Sequence, residues 1–319
     1  MKSLFKLLYR FASSWTGTII IVLILIFFVA QSFVIPSGSM KRTLLIGDFL
    51  FAKKYSYGIP TPHLPWLEIP VLPDFNDNGH LIDGPRPKRG EIVIFRKPQT
   101  PKIHFVKRCV AVGGDEIIYA DKQLLIHFHE GDNYIQENYP PEKIQKLNGK
   151  LWVKNPYKES YRGISYNPES ATSFEYLLVN DGGAMEPILV AELDAPIHNI
   201  AGGVNALYTK VPQDHFYMVG DNRDNSSDSR FWGPVAYRYI VGKPWAIYFS
   251  FEWRSYDLVL NGSDIYGNDK DHTDLRRVCG DIALDSQQCK KLWDKERFRV
   301  RWHRIGKSID SISEGVPIP

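Results

Sequence analysis

Hydrophobic and polar positions divide the chain unevenly. No charged side chain occurs from Phe11 to Met40, and Ile19 to Ala30 is unbroken aliphatic and aromatic. Extended to Trp15 and Ile35, the run admits only Thr16, Gly17, Thr18, Gln31 and Ser32 as interruptions. That is about 20 tolerably apolar residues, roughly the 30 Å of a bilayer core. The pattern predicts a transmembrane helix over 15–35. Lys2, Lys6 and Arg10 precede it and no acid appears before Asp48, so residues 1–14 are expected to stay cytoplasmic while the rest crosses. A cleaved secretory signal, with small residues near Val29-Ala30-Gln31-Ser32, is the alternative. Phe33-Val34-Ile35 prolongs the run past that point and favours a retained anchor.

Beyond the apolar segment the pattern shortens to strands and turns. Phe49-Leu50-Phe51-Ala52, Glu91 to Phe95, His104 to Val112 and Glu116 to Tyr119 suit strands, with Gly113-Gly114-Asp115 as a turn. Ala246 to Phe251 reads as a late core strand, and Asn148-Gly149 between Lys146-Leu147 and Lys150 to Val153 as a hairpin. Residues 58–90 carry prolines at 60, 62, 65, 70, 73, 85 and 87 and form a loop or excursion. Residues 121–210, polar and rich in Tyr, Asn and Pro, read as an inserted subdomain of strands and loops. Helical periodicity recurs only over Ser286 to Lys295. The expectation is a mainly β protein, with one β domain over 36–120 and 211–319 interrupted by the insertion.

Composition narrows this picture. With 319 residues, 44% hydrophobic, and 39 basic against 36 acidic side chains, the chain is neither disordered nor a polyelectrolyte. A formal charge of +3 gives no argument for nucleic acid as a partner. A mean hydropathy of −0.26 excludes a polytopic membrane protein. Of three cysteines, Cys279 and Cys289 could bridge in an oxidising compartment, leaving Cys109 single.

Three stretches could carry chemistry. Pro36-Ser37-Gly38-Ser39-Met40 sets two hydroxyls around a glycine, which suits a nucleophile beside backbone N–H groups, although a linker has the same composition. In Phe105-Val106-Lys107-Arg108-Cys109-Val110-Ala111, strand alternation puts Lys107 on a face with Phe105, Cys109 and Ala111, and Arg108 on the other. An ordinary lysine costs about 4.6 kcal/mol to deprotonate at pH 7; burial would remove much of that cost and make the amine a base for serine, unless the side chain snorkels to water. Gly220 to Gly233, GDNRDNSSDSRFWG, is either a solvated loop or a fixed polar network. An EF-hand is excluded there, because Ser229 and Val235 stand where Gly and Glu are needed. His127-Phe128-His129 aligns two imidazoles without a third ligand, and no Ser/His/Asp signature is visible. No metal or cofactor is expected.

Taken in order, the apolar segment, Pro36-Ser37-Gly38-Ser39-Met40 with Thr43-Leu44 and Gly47-Asp48, Lys107-Arg108, and the Gly220–Gly233 run resemble the bacterial type I signal peptidases. The resemblance covers residues 15–58, 88–116 and 215–251; residues 60–87 and 121–210 match only as variable insertions. It implies a serine endopeptidase with a Ser/Lys dyad that removes signal peptides from exported preproteins after small residues. By the same resemblance, Ser39 is the nucleophile and Lys107 the general base. Ser37 and the Ser39 N–H would form the oxyanion site, and Ser226 would orient the lysine. Asp228 and Arg230 would form a structural ion pair, and Phe33, Ile35, Pro36, Leu44 and Val106 would line the substrate pockets. The implied partners are signal peptides and the lipid bilayer, for a monomer in the cytoplasmic (inner) membrane, single-pass, with its catalytic domain on the periplasmic face. Arg42 stands where the family usually has proline. The competing readings are a Ser/Lys self-cleaving regulatory protease and an exported, membrane-anchored scaffold without catalysis.

Overall fold

The computed structural model describes the chain except residues 1–5, 7–8, 65–66, 162, 167–172, 180–182, 200–202, 254–278, 297 and 315–319. Its sixteen described strands are β1 (Ala30–Val34), β2 (Asp48–Lys53), β3 (Ile59–Pro60), β4 (His80–Ile82), β5 (Ile92–Lys97), β6 (Thr100–Val112), β7 (Glu116–Ala120), β8 (Gln123–His127), β9 (Ile144–Leu147), β10 (Lys150–Lys154), β11 (Glu186–Ile188), β12 (Ala206–Lys210), β13 (His215–Val219), β14 (Val235–Ala236), β15 (Ile240–Trp253) and β16 (Phe298–Val300).

Two antiparallel sheets carry the fold. The first runs β1-β2-β15-β5-β6-β13-β14, with β16 also on β15; the second runs β11-β12-β7-β8-β10-β9. β6 passes directly into β7 through Gly113–Gly114, where Gly114 has φ 95°, a backbone state that glycine adopts without a Cβ penalty. One core spans both sheets, because Val110 and Ala111 of β6 and Tyr217 and Val219 of β13 pack with Ile117, Tyr119, Leu124 and Ile126. The stretch 121–210 is therefore no detached unit: its sheet takes β7 from ahead of residue 121, and its core is shared.

Local chemistry accounts for most elements. Asn148 and Gly149 both have positive φ, the conformation a two-residue hairpin demands, and β9 and β10 pair across them. The prolines of 58–90 leave only the short β3 and β4. The late helix forms over Gln287–Glu296. Cys279 and Cys289 are disulfide-bonded with Cα atoms 5.2 Å apart, and Cys109 is free and buried.

The apolar N-terminal run divides, contrary to a single helix over 15–35. Trp15–Ile24 is α-helical, Leu25–Val29 is a π turn, and Ala30–Val34 is strand β1. Trp15–Val29 thus spans roughly 22 Å. Among the described residues no helix is long and apolar enough to cross a membrane. Phe33-Val34 prolongs a strand instead, because β1 pairs with β2 in unbroken register from Ala30↔Lys53 to Val34↔Phe49, and aromatic and β-branched residues fit a pleated surface.

The C-terminal segment returns to the first sheet. β16 lies on β15, Ser308 bridges Ala246, and the helix Ile309–Glu314 packs Ile309 and Ile312 among Ile35, Met40 and Leu44.

Candidate active site

Ser39 lies in a 3-10 turn, Gly38–Met40, just after β1. Lys107 lies in the middle of β6, opposite Val93 of β5. The two meet across 68 residues of sequence, with Lys107 Nζ donating to Ser39 Oγ at 2.6 Å. Lys107 is only 3% exposed, and its Nζ stands 5.0 Å from the Phe105 ring centroid. Burial is the main cause that draws its pKa down from 10.5 to about 8; Asp228 and Asp221 pull it upward and Arg230 reinforces the fall. Among the described residues the amine has no ion-pair partner, because the nearby carboxylates are bound to arginines.

Those carboxylates belong to two buried arginine pairs. Arg230 grips Asp228 with Nε–Oδ1 and Nη2–Oδ2 distances of 2.8 Å, and donates also to Tyr119 Oη and the Arg223 carbonyl. Asp228 Oδ2 accepts from the Gly220 N–H at 3.0 Å, which ties the start of the Gly220–Gly233 run to its middle. On the other face of β6, Arg108 grips Asp221 at 2.8 and 2.7 Å, and Thr43 Oγ1 donates to the same carboxylate at 2.6 Å. Arginine and hydrogen bonding hold both carboxyls below the usual range despite complete burial. The run thereby clamps the Ser39 turn: Asn222 donates from its N–H to the Ser39 carbonyl at 3.1 Å and from Nδ2 to the Gly38 carbonyl at 3.0 Å.

The other expected residues fall into place unevenly. Ser37 Oγ lies 3.4 Å from Ser39 Oγ on the exposed side of the turn. Ser226 is buried, but its hydroxyl forms no well-aligned hydrogen bond to Lys107. It packs against Gly220 and sits close enough to Asp228 to help hold that carboxyl low. Phe33, Ile35, Leu44 and Val106 gather in one apolar cluster. Leu44 is fully enclosed and supports that cluster from behind, whereas Phe33 and Val106 keep accessible surface and Pro36 is exposed.

Sequence reasoning missed the supports of the turn. Thr43, Asp48, Asp221 and Asn222 stand in the quoted motifs, but no role was legible for them. Arg301, Arg304 and Ser313 gave no signal at all. Arg304 binds Asp48 with Nε–Oδ1 3.0 Å and Nη2–Oδ2 2.5 Å, Arg301 donates to the Ile46 carbonyl, and Arg108 Nη2 donates to Ser313 Oγ at 3.0 Å.

Two other features lie apart from this cluster. Asp115, His129 and Glu130 converge, but Arg89 fills the space between them, bonding Asp115 at 2.6 Å and Glu130 at 2.8 Å. A cavity of about 810 Å³ opens beside it, lined by Arg86, Tyr134, Tyr139 and Gln213 among others, and includes neither Ser39 nor Lys107.

Comparison with known proteins decides the family. The chain matches the family model for Signal peptidase, peptidase S26, over residues 8–249. It is 43% identical to the signal peptidase I of Helicobacter pylori strain 26695 over 311 residues, covering 96% of this chain and 94% of that one. The chain belongs to the signal peptidase family. The signal peptidase I of Pseudomonas aeruginosa is 32% identical over 255 residues, covering 77% of this chain and 74% of its own. A crystal structure of a signal peptidase I from Enterococcus faecalis aligns at a TM-score of 0.27 and 19% identity, covering 50% of this chain and 97% of that one, a likeness too slight to bear on the site. The chain is accordingly an enzyme, a serine peptidase of the S26 family that removes signal peptides. Residues 250–319, which supply Arg301, Arg304 and Ser313, lie beyond the stretch matched by the family model.

Proposed function

We propose that this signal peptidase cleaves exported preproteins after small residues with Ser39 as nucleophile and Lys107 as general base. The observation that carries this reading is the 2.6 Å contact between Ser39 Oγ and a lysine amine that is buried and unpaired by any carboxylate. Neutral Lys107 takes the hydroxyl proton as Oγ attacks the scissile carbonyl carbon. The Ser39 N–H and Ser37 Oγ stabilise the oxyanion. On collapse, the lysine ammonium returns the proton to the leaving amine, and a water activated by the same amine then hydrolyses the acyl-enzyme. Ser226 acts on this cycle through Asp228 and the Gly220 backbone, while the Asp228–Arg230 pair keeps the walls of the site in shape.

Substrate enters as an added strand. β1 is at the edge of its sheet, so an extended segment can pair along it, with Phe33, Ile35 and Val106 limiting side chains near the cut. Pro36 flanks that edge and Leu44 backs it. The helix that leads into β1 exposes Ile19 through Leu25 on every side, each more than a third accessible, as suits a lipid-embedded rather than a core helix. We take it as a single membrane anchor with the sheets on the periplasmic face of the bacterial inner membrane; the Cys279–Cys289 disulfide fits that compartment. The preprotein's apolar segment shares the bilayer, which raises its local concentration for a monomeric enzyme.

Processing of a preprotein by the full chain tests the reading: Ser39→Ala and Lys107→Met each should abolish cleavage while both proteins fold and insert. Normal cleavage by Lys107→Met would overturn the dyad.

A further inference from the structure

The proline-rich excursion contains a hairpin with an inverted distribution of polarity. His63 bridges Pro70, Leu64 N–H donates to the Ile69 carbonyl at 2.9 Å, and Val71 N–H donates to the Pro62 carbonyl at 2.8 Å. Its polar side chains turn inward. Glu68, whose side chain is 7% exposed, accepts from Arg96 Nε at 3.1 Å and lies 3.8 Å from His104 Nε2. Arg96 Nη2 also meets His63 Nδ1 at 3.0 Å. The apolar side chains turn outward: Leu64, Leu67, Ile69, Val71, Leu72 and Phe75 are 40%, 57%, 52%, 46%, 39% and 73% exposed. Glu68 is the only acid or strong base between residues 55 and 73, so the outer surface carries no charge. Exposed apolar surface of this density marks a site of association.

The root of the hairpin shows what the surface adjoins. Glu68 and Arg96 both act electrostatically on Lys54, and Lys54 binds the end of the apolar helix, its N–H donating to the Val29 carbonyl at 3.1 Å and its Nζ to the Ile26 carbonyl at 3.4 Å. His104 in turn packs its ring against Phe33 of β1, with centroids 5.2 Å apart. The buried polar cluster thus lies within electrostatic reach of the lysine that holds the last carbonyls of the helix, and helix and hairpin both expose apolar side chains on that common root.

We propose that the hairpin arms of residues 62–64 and 67–71, with Leu72 and Phe75, are an interfacial element that seats in the lipid bilayer beside the outer end of the N-terminal helix. This rests on the membrane-anchored reading above. A helix of roughly 22 Å is shorter than a core of about 30 Å, and a short span is accommodated by local thinning and by apolar groups at its flank. The hairpin supplies such groups, on a root that the ion pairs keep from turning its charges into lipid. A second contact also restrains rotation of the catalytic sheets about the helix.

The test uses the full chain in phosphatidylcholine vesicles brominated near the headgroup end of the acyl chains. Because Cys109 is buried and the other two cysteines are bonded, an introduced cysteine takes a fluorophore selectively. Leu67→Cys should lose roughly half its emission to the bromines without any substrate, and Glu142→Cys, in the 3-10 turn ahead of β9, should lose none. The pair Leu67→Asp with Ile69→Asp should abolish quenching of a Phe75→Cys label while cleavage in detergent stays unchanged. Absence of quenching at position 67 would overturn the proposal, as would quenching or shielding that appears only when a preprotein is added, which would make the hairpin a substrate surface. Ile24→Cys reports the helix separately and cleavage reports the dyad, so failure of the anchor or of the chemistry is distinguishable from failure of the hairpin.

Discussion

Lys107 Nζ and Ser39 Oγ lie 2.6 Å apart in a setting that offers the lysine no carboxylate partner and almost no water. The two carboxylates within electrostatic reach are each locked to an arginine, Asp228 to Arg230 and Asp221 to Arg108. Their charge is cancelled locally, so burial dominates the lysine and its proton becomes easy to remove. Four predictions follow from this arrangement and its neighbours.

With the Lys107 pKa lowered to about 8, the amine is mostly protonated at pH 7, and kcat/KM should rise with pH through that value before levelling. A profile flat from pH 6 to 9, with chemistry rate-limiting, would contradict it. The same shift has a stability consequence. The unfolded chain holds this proton up to about pH 10.4 whereas the folded chain releases it near 8, so folding strengthens as pH rises through that window. Below it the buried ammonium costs about 3 kcal/mol, and Lys107→Met should raise the Tm at pH 7 while removing cleavage. Thermal unfolding at pH 7 and pH 10 measures both, the gain being smaller at pH 10.

Gly220→Ala isolates the link between the polar run and Ser39. A Cβ there would stand 2.2 Å from Ser226 Oγ and 2.5 Å from the Ser39 carbonyl oxygen. Ser39 must then shift, and displacements near 1 Å cost on the order of 100-fold in rate. Cleavage should fall by about that factor, seen in kcat rather than KM, with secondary structure by circular dichroism retained.

Arg42 has φ 75°, which proline cannot reach. Arg42→Pro should therefore lower stability by more than about 1 kcal/mol, whereas Arg42→Gly should be neutral or slightly stabilising. Denaturant unfolding of the two variants separates these outcomes; a stabilised Arg42→Pro would mean that the turn is held differently.

Thiol titration checks the cysteine assignment. The native protein should show no reactive thiol, since Cys109 is buried and its thiol pKa is pushed well up by burial. Denaturation alone should expose one, and denaturation with reductant three. Two or more thiols without reductant would refute the Cys279–Cys289 bond.

Much of this site was legible because its chemistry is local. Strand alternation put Lys107 on the face of Phe105 and Arg108 on the other, and the structure keeps that division: Phe105 and Cys109 pack on one side, while Arg108 reaches Asp221 on the other. Apolar runs and the Asn148-Gly149 turn likewise gave strands and a hairpin. The N-terminal run was less legible, because hydrophobicity alone does not separate a helix from the apolar strand β1, whose state is set by pairing with residues 49–53. The Ser226 hydroxyl illustrates a second limit, for which buried neighbour it faces is fixed by packing against Gly220. Arg301, Arg304 and Ser313 mark a third: contacts across more than 200 residues leave no period or spacing in the sequence.

Those distant contacts impose an order on assembly. Asp48, in the segment that follows Ser39, is neutralised by Arg304, 256 residues further along, and Arg108 is completed by Ser313. Until residues 301–313 have been synthesised, the carboxylate of Asp48 lacks Arg301 and Arg304, and Met40 and Leu44 lack the packing of Ile309 and Ile312. Pairings of such long range close late. Synthesis of Ser39 and closure of its supports are thereby separated in time, because the groups that complete Asp48 and Arg108 arrive more than 200 residues later.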